Sequence, residues 1–443
     1  MYLPPESLLR LLQLPLSLLN SDQPTPHPEV SDGKHHGHKN LNNLGNLSPY
    51  HDASTVHGAS ADLPEDCTID QVILLHRHGS RGPTGEQDHI LELANTLEKA
   101  WDIIQSSDLP PYLKFLKQGY KYDLVPEELT IVGRKELFDH GVEFSFRYPT
   151  FSTKEVVSTN VQRVIDSAHF FSQGFFGRGA ENVTFLTTDN FTDPVSWLVP
   201  WESCPKLSYV EPYEAAQKWA KEYIPPIVER LNGLIPGVGF FLNATRGALY
   251  GCPYDLAARG KSPWCGVFTA RELRGLEYEL DLFLDGYSGH ASKGDPGPLV
   301  GAFYIKKLIE RLTSKDAEPL YLDFAHDITI LFALSTLDLN KDAVPLSPFV
   351  DHPPAHRKFR SSNQTPFAAE MVWEKFTCKQ SFEGPQVRLV LNGVTFPLSI
   401  CQKCGKDKKY GTCSLNEFVR ANEYSRNVEY HSQIWNATCE LDH

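Results

Sequence analysis

The residues best suited to chemistry are two arginines and a histidine that follow a short apolar run. The run covers residues 72–75, and Arg77, His78 and Arg81 come directly after it. The run predicts a buried strand, and the glycines and proline after it predict a loop. Because open α/β sheets place their binding sites at the carboxyl ends of strands, we expect these three side chains to line a crevice.

The types of these residues indicate phosphate chemistry. Guanidinium groups offer forked donors that match the oxygens of a phosphate. Positive charge on both sides lowers the pKa of His78 and keeps its imidazole neutral, so that it can attack phosphorus as a nucleophile. The alternative is a basic surface loop, which the tripeptide Arg-His-Gly alone does not exclude.

Two further apolar runs end in polar residues. Residues 156–159 predict a second buried strand, and Arg163 follows it where a helical pattern begins. Residues 320–325 predict a third strand, followed by His326, Asp327 and another helix. Taken alone, a helix arginine or a His-Asp pair is common and carries little weight.

The motif Arg-His-Gly-x-Arg-x-Pro after an apolar strand resembles the first motif of the histidine acid phosphatases, the branch that includes fungal acid phosphatases and phytases. The segment with Arg163 is similar to the second arginine segment of that family, and the strand-terminal His-Asp is similar to its second signature. Residues 44–50 resemble a segment that precedes the catalytic domain in the family, and we expect them to dock near the site. The resemblance extends from about residue 44 to the carboxyl end.

The resemblance implies an α/β fold with a mixed central sheet flanked by helices, a phosphoglycerate-mutase-like core and an inserted helical cap subdomain. Residues 1–43 are then a poor signal-like segment and a disordered lead-in, and residues 44–443 form the phosphatase domain. The cap is expected to come from about residues 85–150 and 195–300.

The resemblance also assigns roles to the strand-end residues. His78 takes the phosphoryl group, and Asp327 protonates the leaving oxygen, which would require a protonated carboxyl and hence an acidic working range. The residues that bind the phosphate would be Arg77, Arg81, Arg163 and His326. No metal or organic cofactor is expected, because this positive clamp supplies the electrostatic stabilisation.

Two local patterns predict further elements. Asn392-Gly393 between apolar runs is a strong hairpin signal. Thr130 is expected to cap the amino terminus of a helix.

The nine cysteines and six glycosylation sequons indicate an oxidising, secretory route. Cys401, Cys404 and Cys413 form the single tight group, and as a metal or redox site they lack a nearby fourth ligand. The resemblance implies four disulfides that leave Cys404 unpaired: Cys67–Cys378, Cys204–Cys439, Cys252–Cys265 and Cys401–Cys413. The sequons are at Asn46, Asn182, Asn190, Asn243, Asn363 and Asn436.

Composition restricts location and partners. The net charge of −13 argues against a nucleic-acid binder. The leucine-rich residues 8–19 are too short and interrupted to span a membrane, and no other long apolar run occurs. A histidine tract at residues 35–38 is more readily explained as solvated than as a metal site. We therefore expect a secreted or cell-wall associated enzyme without stable membrane insertion, whose partner is a small-molecule phosphomonoester.

The stretch after the first motif bears on the choice of substrate. Residues 84–89 contain two acids and no lysine or arginine, which favours a broad acid phosphatase over a dedicated phytase, although Arg259, Lys261 or Lys293 could add charge. Two other classes share the scaffold. A phosphoglycerate-mutase-like transferase would not need the His-Asp pair, and an inactive extracellular binding protein would not need the full set of catalytic residues.

Overall fold

The strands form one mixed sheet. The computed structural model describes residues 41–53, 59–60, 62–291, 296–401 and 405–440. In these ranges the eight strands are β1 Cys67–Arg77, β2 Glu155–Ser158, β3 Thr184–Thr187, β4 Leu320–Ala325, β5 Glu370–Cys378, β6 Gln386–Leu391, β7 Val394–Phe396 and β8 Thr412–Ser414. Their order is β3-β2-β4-β1-β5-β6-β7, with β8 beside β6. The first four strands in this order are parallel, and the others pair antiparallel.

Fifteen α-helices accompany the sheet in the described part of the chain. In the same ranges they are α1 Gln87–Lys99, α2 Trp101–Ser106, α3 Ile131–Arg147, α4 Gln162–Phe176, α5 Val210–Tyr223, α6 Pro225–Leu234, α7 Leu242–Arg259, α8 Ala270–Ser288, α9 Pro296–Thr313, α10 Asp327–Thr336, α11 Ser361–Gln364, α12 Gly405–Tyr410, α13 Leu415–Ala421, α14 Glu423–Arg426 and α15 Gln433–Cys439. A short 3-10 helix, Gly45–Leu47, precedes β1.

Helices cover both faces of the sheet, as the apolar run in β1 predicts. Ile73 and Leu75 pack with α9 and α10 on one face. Val72 and Leu74 pack with α3 and α4 on the other. Strands buried on both faces are continuously apolar, because neither face meets water. The predicted mixed sheet flanked by helices is confirmed.

A separate apolar core lies among helices from the ranges that are expected to form the cap. Leu93 of α1, Leu249 of α7 and Leu276 of α8 belong to it, together with residues of α2 and α6. At the end of the expected cap range of about 85–150, α3 packs on the sheet through Leu137 and Phe144. The lead-in assigned to residues 1–43 falls almost entirely outside the described residues, as does the histidine tract at 35–38.

Four disulfides are present, and they join the same pairs that the resemblance implied. They are Cys67–Cys378, Cys204–Cys439, Cys252–Cys265 and Cys401–Cys413. Cys401 and Cys413 are therefore engaged with each other and do not form a thiolate metal site. Cys404 lies outside the described residues.

The sequons differ in how accessible they are. Asn182 and Asn190 are exposed, and Asn243, Asn363 and Asn436 are partly exposed. The side chain of Asn46, also a glycosylation candidate, is buried, and its amide nitrogen donates a hydrogen bond inside the protein. No helix in the described part of the chain is long and apolar enough to cross a bilayer.

The two local patterns occur as expected. Asn392 and Gly393 join β6 to β7 with φ angles of 46° and 75°, which is the left-handed conformation that such a hairpin turn requires. The hydroxyl of Thr130 accepts a hydrogen bond from the Gly133 amide at 3.0 Å and caps α3.

Candidate active site

Three neighbouring parallel strands bring the predicted residues to one edge of the sheet. β2, β4 and β1 are adjacent, and their carboxyl ends point the same way. His78 follows β1, Arg163 lies in the first turn of α4 after β2, and His326 and Asp327 follow β4. The rings of His78 and His326 are 5.7 Å apart between centroids. The sequence motifs therefore meet in space although they are far apart in the chain.

The ring of His78 has a defined tautomer. Its Nδ1 lies 2.9 Å from the carbonyl oxygen of Gly79. A carbonyl only accepts, so Nδ1 carries the hydrogen and Nε2 keeps a lone pair. Burial, followed by the charges of Arg77 and Arg163, holds the pKa of His78 well below its usual value. The imidazole is thus neutral at neutral pH, with a lone pair on Nε2.

Arg77 is held by backbone carbonyls of two segments, the loop that precedes β5 and the 3-10 helix that precedes β1. It is fully buried, and its Nη1 donates to the carbonyl oxygens of Thr365, at 2.6 Å, and Asn46. Its guanidinium lies 4.7 Å from the centre of the Phe367 ring. Burial lowers the pKa of Arg77 to about 10, which leaves it charged at any working pH.

Arg81 and Arg163 complete a group of three guanidiniums. Nη1 of Arg81 donates to the Gly82 carbonyl at 2.9 Å, and Nη1 of Arg163 donates to Glu127 at 3.2 Å. The buried Nε atoms of Arg77, Arg81 and Arg163 have no hydrogen-bond partner among the described residues. Because buried donors are costly when unpaired, three of them around one histidine indicate a site for an anion.

Asp327 accepts hydrogen bonds on both of its oxygens. Oδ2 lies 2.9 Å from Nη2 of Arg77 and 2.7 Å from the amide nitrogen of Asn46, and Oδ1 accepts from the Ile328 amide at 2.9 Å. Burial raises the pKa of Asp327, but Arg77, Asn46 and Arg81 outweigh burial and lower it to about 2. The proton that Asp327 is expected to carry at acidic pH therefore requires a change in these surroundings, and this role stays a prediction.

His326 lies near His78 and contacts the residue that follows β2. Its Nε2 is 3.3 Å from the Thr159 hydroxyl. Burial, followed by the charge of Arg163, lowers the pKa of His326 to about 3. A neutral ring at this place can donate one hydrogen bond to an anion bound between the arginines.

Three supporting contacts had no clear signal in the sequence. The Glu136 carboxylate accepts from both the amide and the hydroxyl of Ser80, each at 2.8 Å. A Cβ on Gly133 would lie 2.2 Å from the Ser80 carbonyl, so α3 approaches the motif loop at a distance that only glycine permits. The third contact is made by Asn46; the family resemblance of residues 44–50 indicated docking here but not the bond to Asp327.

A tyrosine and several carboxylates lie near the arginines of the site. Tyr254 is 3.5 Å from Nη1 of Arg81, and burial, followed by the negative charge of Glu86, raises the pKa of this tyrosine. Glu86 itself accepts from the Thr84 hydroxyl at 2.9 Å. Arg259, considered above as extra positive charge, is paired with Asp255 at 2.9 Å and with Asp123. Lys293 lies outside the described residues.

The fold and the strand-end site together define a class. The model of the histidine phosphatase superfamily (branch 2) matches residues 68–392, and the chain belongs to this family. It is 30% identical to an acid phosphatase of Schizosaccharomyces pombe, with 89% of this chain and 90% of that protein covered. It is 29% identical to phytase A of Arthroderma benhamiae, with 86% and 89% covered.

A solved structure supports the same fold. The crystal structure of the phytase from D. castellii superposes with a TM-score of 0.76 at 22% identity. The match covers 91% of this chain and 88% of that one. At this identity the likeness concerns the fold alone.

Proposed function

We propose that the protein hydrolyses phosphomonoesters through a phosphohistidine on His78. The observation that supports this most directly is the tautomer of His78, which leaves a lone pair on Nε2. The charges of three arginines with buried, unpaired Nε donors act on this ring. The names of the relatives, acid phosphatase and phytase, agree with this reaction.

In the first step, Arg77, Arg81, Arg163 and His326 bind the phosphate oxygens. Nε2 of His78 attacks phosphorus, the bond from phosphorus to the ester oxygen breaks, and Asp327 gives its proton to the departing alcohol. The bound dianion cancels much of the positive charge that lowers the pKa of Asp327. This pKa therefore rises when the substrate binds, and Asp327 becomes able to hold the proton that it transfers.

In the second step, water attacks the phosphohistidine. Asp327, now ionised, takes a proton from the water, the N–P bond breaks, and inorganic phosphate leaves. The clamp stabilises the negative charge that develops on the phosphoryl oxygens in both steps. Asp327 thus acts as acid and then as base and returns to its starting state.

The test is hydrolysis of a simple aryl phosphate across pH, with EDTA, by the unmodified protein and by His78→Ala. We expect activity at acid pH that resists EDTA and falls by on the order of a thousandfold or more in the variant. His169→Ala is a matched control, because this exposed histidine lies away from the strand ends. An inert unmodified protein would instead favour the inactive binding protein, and transfer to a second phosphorylated metabolite without hydrolysis would favour the mutase-like transferase.

We further propose that the enzyme accepts many monoesters and that phytate is not its preferred substrate. Glu86 near Arg81 and Glu127 on Arg163 add negative charge beside the proposed phosphate site, which disfavours a dense polyanion. A panel of esters should therefore give phytate a lower kcat/KM than aryl phosphates. Phytate turnover that rivals that of the simple esters would identify a dedicated phytase.

Removing one of these acids should shift the preference. In Glu86→Gln we expect kcat/KM for phytate to rise about fivefold relative to an aryl phosphate, since one repulsive charge is lost. Glu98→Gln is the control, because Glu98 is an exposed acid at the far end of α1. An unchanged ratio in Glu86→Gln would contradict this account of specificity.

We also propose an extracellular location. The four disulfides and the exposed sequons at Asn182 and Asn190 support it, because disulfides persist in oxidising compartments. Phosphatase activity in the medium or wall fraction, on a protein that loses mass with an endoglycosidase, is the expected result. Activity confined to the cell lysate would contradict the proposal.

A further inference from the structure

Three side chains of metal-ligand type converge behind the first motif. His76 is on β1, His140 is on α3 and Glu370 begins β5. Nε2 of His76 is 3.1 Å from Nδ1 of His140, and Oε1 of Glu370 is 3.5 Å from each of these nitrogens. They form the one such group of histidine, cysteine and acid side chains found within the described residues. The proposed reaction uses none of them.

The hydrogen bonds leave this group rich in lone pairs. Nδ1 of His76 lies 2.6 Å from the Arg77 carbonyl, so it must donate, and Nε2 of His76 is left as an acceptor. The carboxylate of Glu370 also only accepts. Nε2 of His76 and Oε1 of Glu370 are both acceptors and lie 3.5 Å apart. A single hydrogen on Nδ1 of His140 can be donated to only one of them. A cation at the centre would satisfy all three atoms.

The spacing matches that of a tetrahedral metal site. With metal–ligand distances of about 2.0–2.1 Å, the ligand atoms of a tetrahedron are about 3.3–3.4 Å apart. The three observed separations, 3.1, 3.5 and 3.5 Å, bracket this value. The bond from Nδ1 of His76 to a backbone carbonyl is the outer contact that metal-binding histidines usually make.

The surroundings suit a bound divalent cation. Both histidines are buried, and the Glu370 side chain is 15% exposed, which leaves a route for an ion. The negative charge of Asp139 acts on His140. On the neighbouring Tyr50, the negative charges of Asp52 and Glu143 act together with the positive charge of Arg147. The edge of the Tyr50 ring lies against His140, at 4.2 Å between centroids.

We propose that His76, His140 and Glu370 bind one Zn²⁺ ion, with water in the fourth position. Two imidazoles and one carboxylate are a donor set that zinc accepts. The ion would tie β1, α3 and β5 together immediately behind Arg77, and its role would be to stabilise the fold. It takes no part in the proposed hydrolysis, so activity in EDTA is compatible with it.

The test is zinc binding to the full chain after removal of metal with a chelator. The parent carries His35→Ser, His36→Ser and His38→Ser, because the histidine tract is a second source of imidazoles. We expect one equivalent of Zn²⁺ to bind and to raise Tm. In His140→Gln and Glu370→Gln the affinity for Zn²⁺ should fall at least tenfold, and the rise in Tm should shrink or disappear. His169→Gln, in an exposed histidine, should bind zinc like the parent.

A spectroscopic measurement keeps the proposal testable if the variants fail to fold. Co²⁺ added to the unaltered site should give the intense visible absorption of tetrahedral coordination, and one equivalent of Zn²⁺ should remove it. Absence of binding to the parent, an octahedral Co²⁺ spectrum, or equal zinc affinity in folded His140→Gln would each overturn the proposal.

Discussion

Asn46 shows how a single side chain outside the sheet tunes the acid of the site. Its amide nitrogen is 2.7 Å from Oδ2 of Asp327, although 281 positions separate the two residues. Its carbonyl oxygen also accepts from Arg77. The segment before the first strand therefore holds both the proposed acid and one arm of the phosphate clamp.

Removing the side-chain amide of Asn46 should shift the dependence of kcat on pH. A hydrogen bond to a charged group is worth about 1.5–3 kcal/mol, so Asn46→Ala should raise the pKa of Asp327 by about one unit or more. Because the proposed general acid must be protonated, the alkaline limb of kcat against pH should shift upward by about the same amount. Asn416→Ala, at an exposed asparagine, should leave the limb in place. An unshifted limb in Asn46→Ala would mean that another group controls it.

At the scale of elements, the close approach of α3 to the motif loop positions the nucleophile. Gly133 and Glu136 both contact Ser80, two residues after His78. The amino end of α3 therefore acts as a rigid support for the loop between β1 and α1. The loop has little freedom of its own while this support is in place.

Gly133→Ala should damage catalysis more than folding. Its methyl group would meet the Ser80 carbonyl at 2.2 Å, so the loop must move, and kcat on an aryl phosphate should fall about ten- to a hundredfold. Gly233→Ala in α6 is the matched control, because a Cβ there meets nothing within 4 Å. Equal kcat values for the two variants would show that the loop tolerates the displacement.

The sequence was informative where a pattern is local. The strand ends that carry His78, Arg163 and His326 could be predicted, because apolar runs and turn residues are close together in the chain. The contacts of Asn46 with Asp327 and of Glu136 with Ser80 could not be predicted, because 281 and 56 positions separate the partners and no periodicity links them. The packing of α3 on the sheet was missed for a similar reason, since an amphipathic pattern does not say which core its apolar side meets.

For the whole molecule, buried histidines should make stability depend on pH. Burial lowers the pKa of His326 to about 3 in the folded protein, against about 6.5 in an unfolded chain. Between these values the unfolded chain binds more protons, so the free energy of unfolding falls as the pH falls. Each unit of pH in this window costs about 1.4 kcal/mol for one such histidine.

This dependence can be measured by urea unfolding at pH 7 and pH 5. The loss of stability between the two values should be smaller by about 2 kcal/mol in His326→Gln than in the unmodified protein. His169→Gln should show the unmodified dependence, because that histidine is exposed. If His326→Gln loses as much stability as the unmodified protein, His326 is protonated in the folded state at pH 5.

The disulfide from Cys67 to Cys378 has a consequence for a protein exposed to proteases. It links positions 311 residues apart, so the expected cap, the proposed nucleophile and the proposed acid all lie inside one covalent ring. The exposed Phe349 marks a surface segment within this ring where a protease could cut. A chain nicked once there would remain a single molecule, because Cys204–Cys439 spans the same cut, and its two fragments would separate on a gel only when a reductant opens both disulfides.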